Sequence, residues 1–203
     1  MSDLEKEKKK KEEFIGEIMP QSTFNFDKSF SIVLAGSSRT GKSCLMKKAI
    51  SNDFEEDYSS THIFDYLTAY IKIKGNIIKL NISDTSGQEI FKSYVIDSYE
   101  KSSLAILLYS IDDKESFEYI KDLYNEIKRK TNHKSRIILV GNKSDLEKER
   151  KISQNEAIKL RNENGFDLFM ETSAKTGYNV NNLLIEAAKI LYSDYSSDFK
   201  KNK

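Results

Sequence analysis

Gly36-Ser37-Ser38-Arg39-Thr40-Gly41-Lys42-Ser43 follows the apolar run Phe30-Ser31-Ile32-Val33-Leu34-Ala35 and opens a helical stretch from Ser43 to Ile50. A glycine, four residues and then Gly-Lys-Ser, set between a strand and a helix, is the pattern of a loop that wraps phosphate groups. The glycines let backbone N–H groups turn inward around phosphate oxygens, and the helix N-terminus adds partial positive charge. Lys42 bridges the β- and γ-phosphates, and Ser43 offers a hydroxyl to Mg²⁺. Ser38, Arg39, Thr40, Gly41, Lys42, Ser43 and Cys44 are the candidate phosphate-binding residues. The loop by itself specifies a nucleotide but not its base.

Outward from this loop, strand-length apolar runs alternate with helical patterns. Ile77–Ile82, Leu104–Tyr109, Ile137–Val140 and Leu168–Met170 read as strands. Glu115–Lys130 places Phe117, Ile120, Leu123 and Ile127 at helical spacing, and Asn181–Tyr192 does the same with Leu183, Leu184, Ala187, Ala188 and Leu191. Ser153 with Glu156 three residues on is a capping box that starts another helix. Strand, helix and strand in repetition require right-handed crossovers and a mainly parallel sheet covered on both faces. Leu67–Ile73 and Ile77–Ile82 are too close for a crossover, so they form an antiparallel hairpin at a sheet edge. The expected fold class is α/β, with a sheet of six strands, one of them an antiparallel edge strand, and about five helices around it. Residues 1–28, with the only proline, Pro20, read as a charged, disordered extension; 29–193 form the domain and 194–203 a short tail.

Composition narrows the function classes. The chain has 203 residues, enough for one α/β domain, and a formal net charge of +1, which points to neither nucleic acid nor an anionic surface. The single cysteine, Cys44, excludes an internal disulfide, and no apolar run approaches the roughly 20 residues that span a bilayer. Between Asp3 and Glu13 five lysines are offset by five acids, so this is no polybasic anchor, and Ser2 excludes N-myristoylation. A cytoplasmic setting is expected.

Two further elements complete the chemistry. Asp84-Thr85-Ser86-Gly87 ends the strand beside the phosphate loop: the Asp84 carboxylate there can hold a water on Mg²⁺, and the Gly87 N–H can bond the γ-phosphate. Gln88 follows, and its amide can orient an attacking water, which makes it the candidate catalytic residue. Gly141-Asn142-Lys143-Ser144-Asp145 ends another strand, where the Asp145 carboxylate can accept from guanine N1–H and its amino group, a pairing adenine does not offer. Asn142 would tether the loops and Lys143 would lie over the ring. In Glu171-Thr172-Ser173-Ala174-Lys175 the Ala174 N–H faces guanine O6, with Ser173 and Lys175 beside it in the base-binding set. Together and in this order these elements specify GTP or GDP with Mg²⁺.

On these motifs the chain resembles the Ras superfamily of small GTPases, a P-loop NTPase fold, and within it the Rab family, from about Phe30 to Tyr192. The resemblance implies that Thr61 is the first-switch threonine that coordinates Mg²⁺ and the γ-phosphate, that Phe54 packs against the guanine, and that the second switch spans Ser86 to Tyr99. The metal set is then Ser43, Thr61 and Asp84. It further implies slow GTP hydrolysis by a monomer, a role in vesicle traffic, and protein partners: an exchange factor, a GTPase-activating protein and effectors. The chain departs from that pattern at several positions. Ser83 stands where a Trp is usual, Arg39 replaces a small residue, Ser86 replaces Ala, and His62 and Ile63 follow Thr61 where an Ile-Gly pair is usual. Ser193–Lys203 holds no cysteine, so prenylation is not expected and recruitment to endomembranes would fall to protein partners. Two other function classes compete with the switch: a module that holds GTP or GDP permanently as a structural ligand, and an adenine-using kinase or ATPase, against which Asp145 argues.

Overall fold

Burial of both faces of the central strands sets the architecture. The structure, a computed structural model, describes residues 16–20, 25–51, 64–85, 92–130 and 135–201. Its strands are β1 (Glu17–Met19), β2 (Lys28–Ala35), β3 (Phe64–Ile73), β4 (Asn76–Thr85), β5 (Leu104–Ser110), β6 (Arg136–Asn142) and β7 (Leu168–Glu171). Its helices are α1 (Lys42–Ser51), α2 (Lys92–Glu100), α3 (Lys114–Lys130), α4 (Gln154–Asn164) and α5 (Val180–Lys201). Every residue of β5 is buried, and every residue of β6 after Arg136, as in a strand covered on both faces. Ile32, Leu34, Ile106 and Leu108 point to one face and meet Leu45 and Met46 of α1 and Leu183, Leu184, Ala187 and Ala188 of α5. Val33, Ala35, Ala105, Leu107 and Tyr109 point to the other and meet Ile96, Phe117, Ile120, Leu123, Ala157 and Leu160 from α2, α3 and α4.

The sheet order is β1-β3-β4-β2-β5-β6-β7. β2 pairs in parallel with β4 on one side and β5 on the other, β5 with β6, and β6 with β7. The chain therefore reverses its direction of travel across the sheet at β2, and the crevice beyond the C-terminal end of such a strand is where α/β sheets bind ligands. β3 and β4 form the expected antiparallel hairpin, with Ile73 opposite Asn76 and a turn of Lys74 and Gly75, both at positive φ.

The α/β class and the five helices agree with the sequence reading, and three details differ. The sheet has a seventh strand: β1, drawn from the segment read as a disordered extension, pairs with β3, so the hairpin is not itself the edge there. Ile18 explains this, since it packs onto the cluster under β3. The last helix does not stop near Tyr192 but runs to Lys201, through most of the expected tail. Arg136 accounts for its first added turn: the guanidinium donates to both oxygens of Asp194 at 2.8 and 2.5 Å and to Asp167 at 2.8 Å, tying α5 to the start of β6. Finally, a helix, α2, covers the C-terminal part of the stretch read as a second switch and runs one residue beyond it, to Glu100. The capping box at Ser153 and Glu156 is formed, and Gly165 closes α4 in the left-handed region at φ 67°.

Candidate functional site

The loop after β2 is held in shape by its two glycines. A Cβ on Gly36 would lie 2.1 Å from the carbonyl oxygen of Leu108, and one on Gly41, whose φ is +88°, would lie 2.5 Å from Nδ2 of Asn142. Neither position has room for a side chain. Arg39 adopts φ 64° without being glycine, a conformation that costs a side-chain-bearing residue about 1 kcal/mol or more, and the residue is exposed. Thr40 donates from its hydroxyl to the Ser37 carbonyl at 3.0 Å and closes the turn.

Lys42 is buried in the concavity of this loop, donating to the carbonyls of Gly36 at 3.0 Å and Ser37 at 2.9 Å. Burial lowers its pKa to about 8, partly offset by the Asp84 charge. A cation placed where desolvation disfavours it gains from any anion that enters, and Ser37 Oγ beside it is buried with no hydrogen-bond partner among the described residues. The loop thus fits a phosphate group. Next to it, Ser43 Oγ donates to Asp84 Oδ2 at 2.5 Å, with both residues buried. A hydroxyl and a carboxylate are hard oxygen donors suited to Mg²⁺. Among the described residues no group of three His, Cys, Asp or Glu could hold a metal.

Across the crevice, the loops after β6 and β7 are assembled around Asn142, which is 1% exposed. Its Nδ2 donates to the Thr40 carbonyl at 2.8 Å, and its Oδ1 accepts from Thr172 Oγ1 at 3.1 Å and from the Ala174 N–H at 3.3 Å. The tether expected of Asn142 is thus present as three bonds into two loops. The Ala174 N–H, expected to meet a guanine oxygen, is directed at Asn142 by a long bond. Ser173 Oγ donates to Asp145 Oδ1 at 2.5 Å and accepts from the Thr176 N–H at 3.1 Å, which orients the carboxylate proposed to read the base. Lys143 stands at φ 63° with its ammonium 3.9 Å from Asp112. Ser110 Oγ in turn donates to that same Asp112 oxygen.

Behind these loops Arg150 donates to both oxygens of Glu171, at 2.7 and 2.9 Å, and Gln154 adds a third bond at 2.9 Å. This pair sits at the C-terminal end of β7, where Thr172–Lys175 begin. Of the sequence-derived site residues, the structure brings Ser38–Cys44, Asp84, Asn142, Lys143, Asp145 and Ser173–Lys175 to the C-terminal ends of β2, β4, β6 and β7. Phe54, Thr61, Ser86, Gly87 and Gln88 lie outside the described residues. Sequence reasoning did not assign Thr172, which is fully buried on Asn142, nor Asp112 and Arg150. Thr172 was within the quoted pentapeptide, but its role depends on a partner 30 residues earlier.

Comparison with known proteins places these features in a wider set. The model of the Ras family matches residues 31–193. The chain is similar to the Ras-related protein Rab-4 of Dictyostelium discoideum, 36% identical over 165 residues that cover 81% of this chain and 80% of that protein. It is also similar to the Ras-related protein Rab-13 of Canis lupus familiaris and of Bos taurus, each 37% identical over 164 residues, with 81% and 80% covered.

Proposed function

Since the chain belongs to the Ras family and is a small GTPase with a Ras-type G domain, we propose that it is a Mg²⁺-dependent switch whose GTP and GDP states are read by other proteins. The observation that carries this reading is the continuity of the site. Ser43 and Asp84 on the phosphate side are joined by the chain to Thr40, which Asn142 binds, and Asn142 in turn holds Thr172 and Ala174 on either side of Ser173, the partner of Asp145 on the base side.

In this reading Lys42 and the backbone of Ser38–Cys44 hold the phosphates, Asp145 accepts from guanine, and Lys143 covers the ring. Ser43, Asp84 and Thr61 are the residues that would hold Mg²⁺, and the ion would supply positive charge against the phosphates. Gln88 orients the attacking water; Thr61 and Gly87 engage the γ-phosphate, and their segments relax once it is lost. Phe54 stacks beside the base. The N-terminal boundary of the domain near residue 29 then describes the nucleotide-binding unit, to which β1 is an addition. The resemblance to Rab proteins supports a role in vesicle traffic, with an exchange factor, an activating protein and effectors as partners. No described helix is long and apolar enough to cross a membrane.

The test is an amide NMR comparison of the GDP and GTP-analogue forms with Mg²⁺. A switch changes resonances between residues 54 and 99 while leaving β5 and β6 in place. Superimposable spectra there would refute it and leave a module that keeps its nucleotide as a structural ligand.

A further inference from the structure

Asp112 and Asp113 are neighbours in the turn after β5, and the structure gives them different partners. Asp113 serves α3: its Oδ1 accepts from the N–H groups of Glu115 at 3.0 Å and Ser116 at 3.4 Å, donors that a helix start leaves open. The turn is fixed from several sides. Ser116, 1% exposed, accepts from the Ser110 N–H at 3.0 Å and donates to the Asp113 carbonyl at 2.7 Å. The Ile111 N–H donates to the Asn142 carbonyl at 3.1 Å, which joins this turn to the loop that carries Lys143. The Asp112 carboxylate is turned to that loop. Its Oδ1 accepts from the buried Ser110 hydroxyl and lies 3.9 Å from the Lys143 ammonium.

With the two side chains 34% and 26% exposed and no close hydrogen bond between them, this ion pair adds little to the stability of the fold. What it fixes is a position. The carboxylate is pinned at one oxygen by a buried hydroxyl, on a turn that is itself tied down. Lys143 is the mobile partner, with four rotatable methylenes leaving a backbone at φ 63°. The fixed anion therefore selects where the cation rests, and a lysine whose head is held can lay its stem along an apolar surface. We propose that Asp112, oriented by Ser110, is a positioning residue for Lys143: it holds the ammonium so that the stem lies along the face of the guanine ring and slows release of the nucleotide, a role that rests on the guanine-nucleotide reading of the site. Asp112 acts through Lys143 and does not touch the nucleotide. Without its charge the lysine must be ordered at each binding event, a cost that an already oriented side chain avoids.

The experiment is a double-mutant cycle on the full chain, loaded in the presence of Mg²⁺ with GDP that carries a fluorophore on its ribose, and release is followed after excess GDP is added. Asp112→Asn keeps an oxygen for the Ser110 hydroxyl and removes the charge; Lys143→Met keeps a stem and removes the ammonium. Asp112→Asn is expected to speed release by about two- to fivefold in the wild-type background, the range a partly exposed ion pair supports. In the Lys143→Met background it should leave the rate unchanged. Salt supplies a second reading: the rate of Asp112→Asn relative to the wild type should fall towards one between about 0.05 and 1 M sodium chloride, as the pair is screened. A purely structural loss would instead speed release equally in both backgrounds and at every salt concentration. That result, or unchanged release in Asp112→Asn, would overturn the proposal. Should Asp112→Asn fail to fold, Ser110→Ala decides by the same cycle, because it frees the carboxylate and leaves its charge. It should speed release only where Lys143 is present, and an equal effect in both backgrounds, or none, would refute the role. A wild-type chain that took up no labelled GDP would sink the nucleotide reading and this role with it, whereas uptake with additive effects overturns the role of Asp112 alone.

Discussion

Asn142→Ala is the substitution that tests the site's construction most directly. The amide donates one bond and accepts two, to the carbonyl of Thr40, the hydroxyl of Thr172 and the N–H of Ala174. Thr40 and Thr172 have no solvent exposure and Ala174 has 5%, so water does not reach these groups without the loops parting. Each orphaned buried group costs about 1–3 kcal/mol. The Thr172 hydroxyl can rotate towards another acceptor and the 3.3 Å bond from Ala174 is weak, so the realistic sum is roughly 2–4 kcal/mol. That cost has two destinations. Part appears as lower stability of the nucleotide-free chain, read by urea unfolding. Part appears as weaker GDP binding, read by calorimetry, because the phosphate loop and base loops lose their common register. If half goes to binding, the affinity falls by about five- to thirtyfold. Asn142→Asp separates the donor from the acceptor: it keeps the bonds from Thr172 and Ala174 but sets a carboxylate oxygen against the Thr40 carbonyl. A chain with Asn142→Ala whose urea midpoint and GDP affinity both matched the wild type would show that the bonds seen around Asn142 do not hold the site together.

Other consequences are narrower. Gln88→Leu should slow GTP hydrolysis by on the order of tenfold or more in single turnover while leaving GTP affinity nearly unchanged; equal rates would remove Gln88 from the reaction. Tyr109→Phe should be neutral or raise stability by up to about 1 kcal/mol in urea, since the phenol is buried without a hydrogen-bond partner among the described residues, and burial pushes its pKa up. The Glu156 carboxyl is held below the usual carboxylate range, first by the Ser153 hydroxyl and then by its backbone N–H. A depressed folded-state value stabilises the helix cap above the unfolded value and loses that contribution as pH falls through the folded one. Ser153→Ala should therefore move the Glu156 titration, followed by NMR, back up towards 4.5 and cost about 1 kcal/mol of stability at neutral pH.

The parts of the fold that were legible in the sequence are those whose cause is local. Gly36 and Gly41 mark a loop because neither place admits a Cβ, and the constraint appears as fixed spacing. The capping box at Ser153 is complete within four residues. The unbroken apolar runs in β2, β5 and β6 report two-sided burial directly. The strand β1 was not legible, because Glu17-Ile18-Met19 is too short to show a period and its anchors, Ile71 and Ile185, are remote in sequence. The first extra turn of α5 is tied down by Arg136, 58 residues before Asp194. In the site, Asn142 and Asp145 were readable as a tetrapeptide, but the reason the tetrapeptide works was not. Thr172 and Ser173 supply that reason by closing on it from another strand.

This arrangement divides the labour between two neighbouring residues in a way that can be separated. Asn142 gives one amide N–H and its carbonyl oxygen to protein groups, so the role its bonds describe is that of joining the loops. Asp145 is different: Ser173 holds one carboxylate oxygen, and the other has no partner among the described residues. A carboxylate fixed at one oxygen is an oriented acceptor for the N1–H and amino group of guanine. Asp145→Asn turns part of that acceptor into a donor, which suits the carbonyl that xanthine carries where guanine has its amino group. Its effect should be a change of preference from GDP towards XDP, on the order of a hundredfold in the ratio, as expected when a polar pairing with the base is inverted. Asn142→Ala should instead weaken GDP and XDP by the same factor, because the part it damages does not touch the base. Competition binding with both nucleotides distinguishes the two. If Asn142→Ala altered the GDP-to-XDP ratio as Asp145→Asn does, Asn142 would be reading the base, and the scaffold role drawn from its three bonds would be wrong.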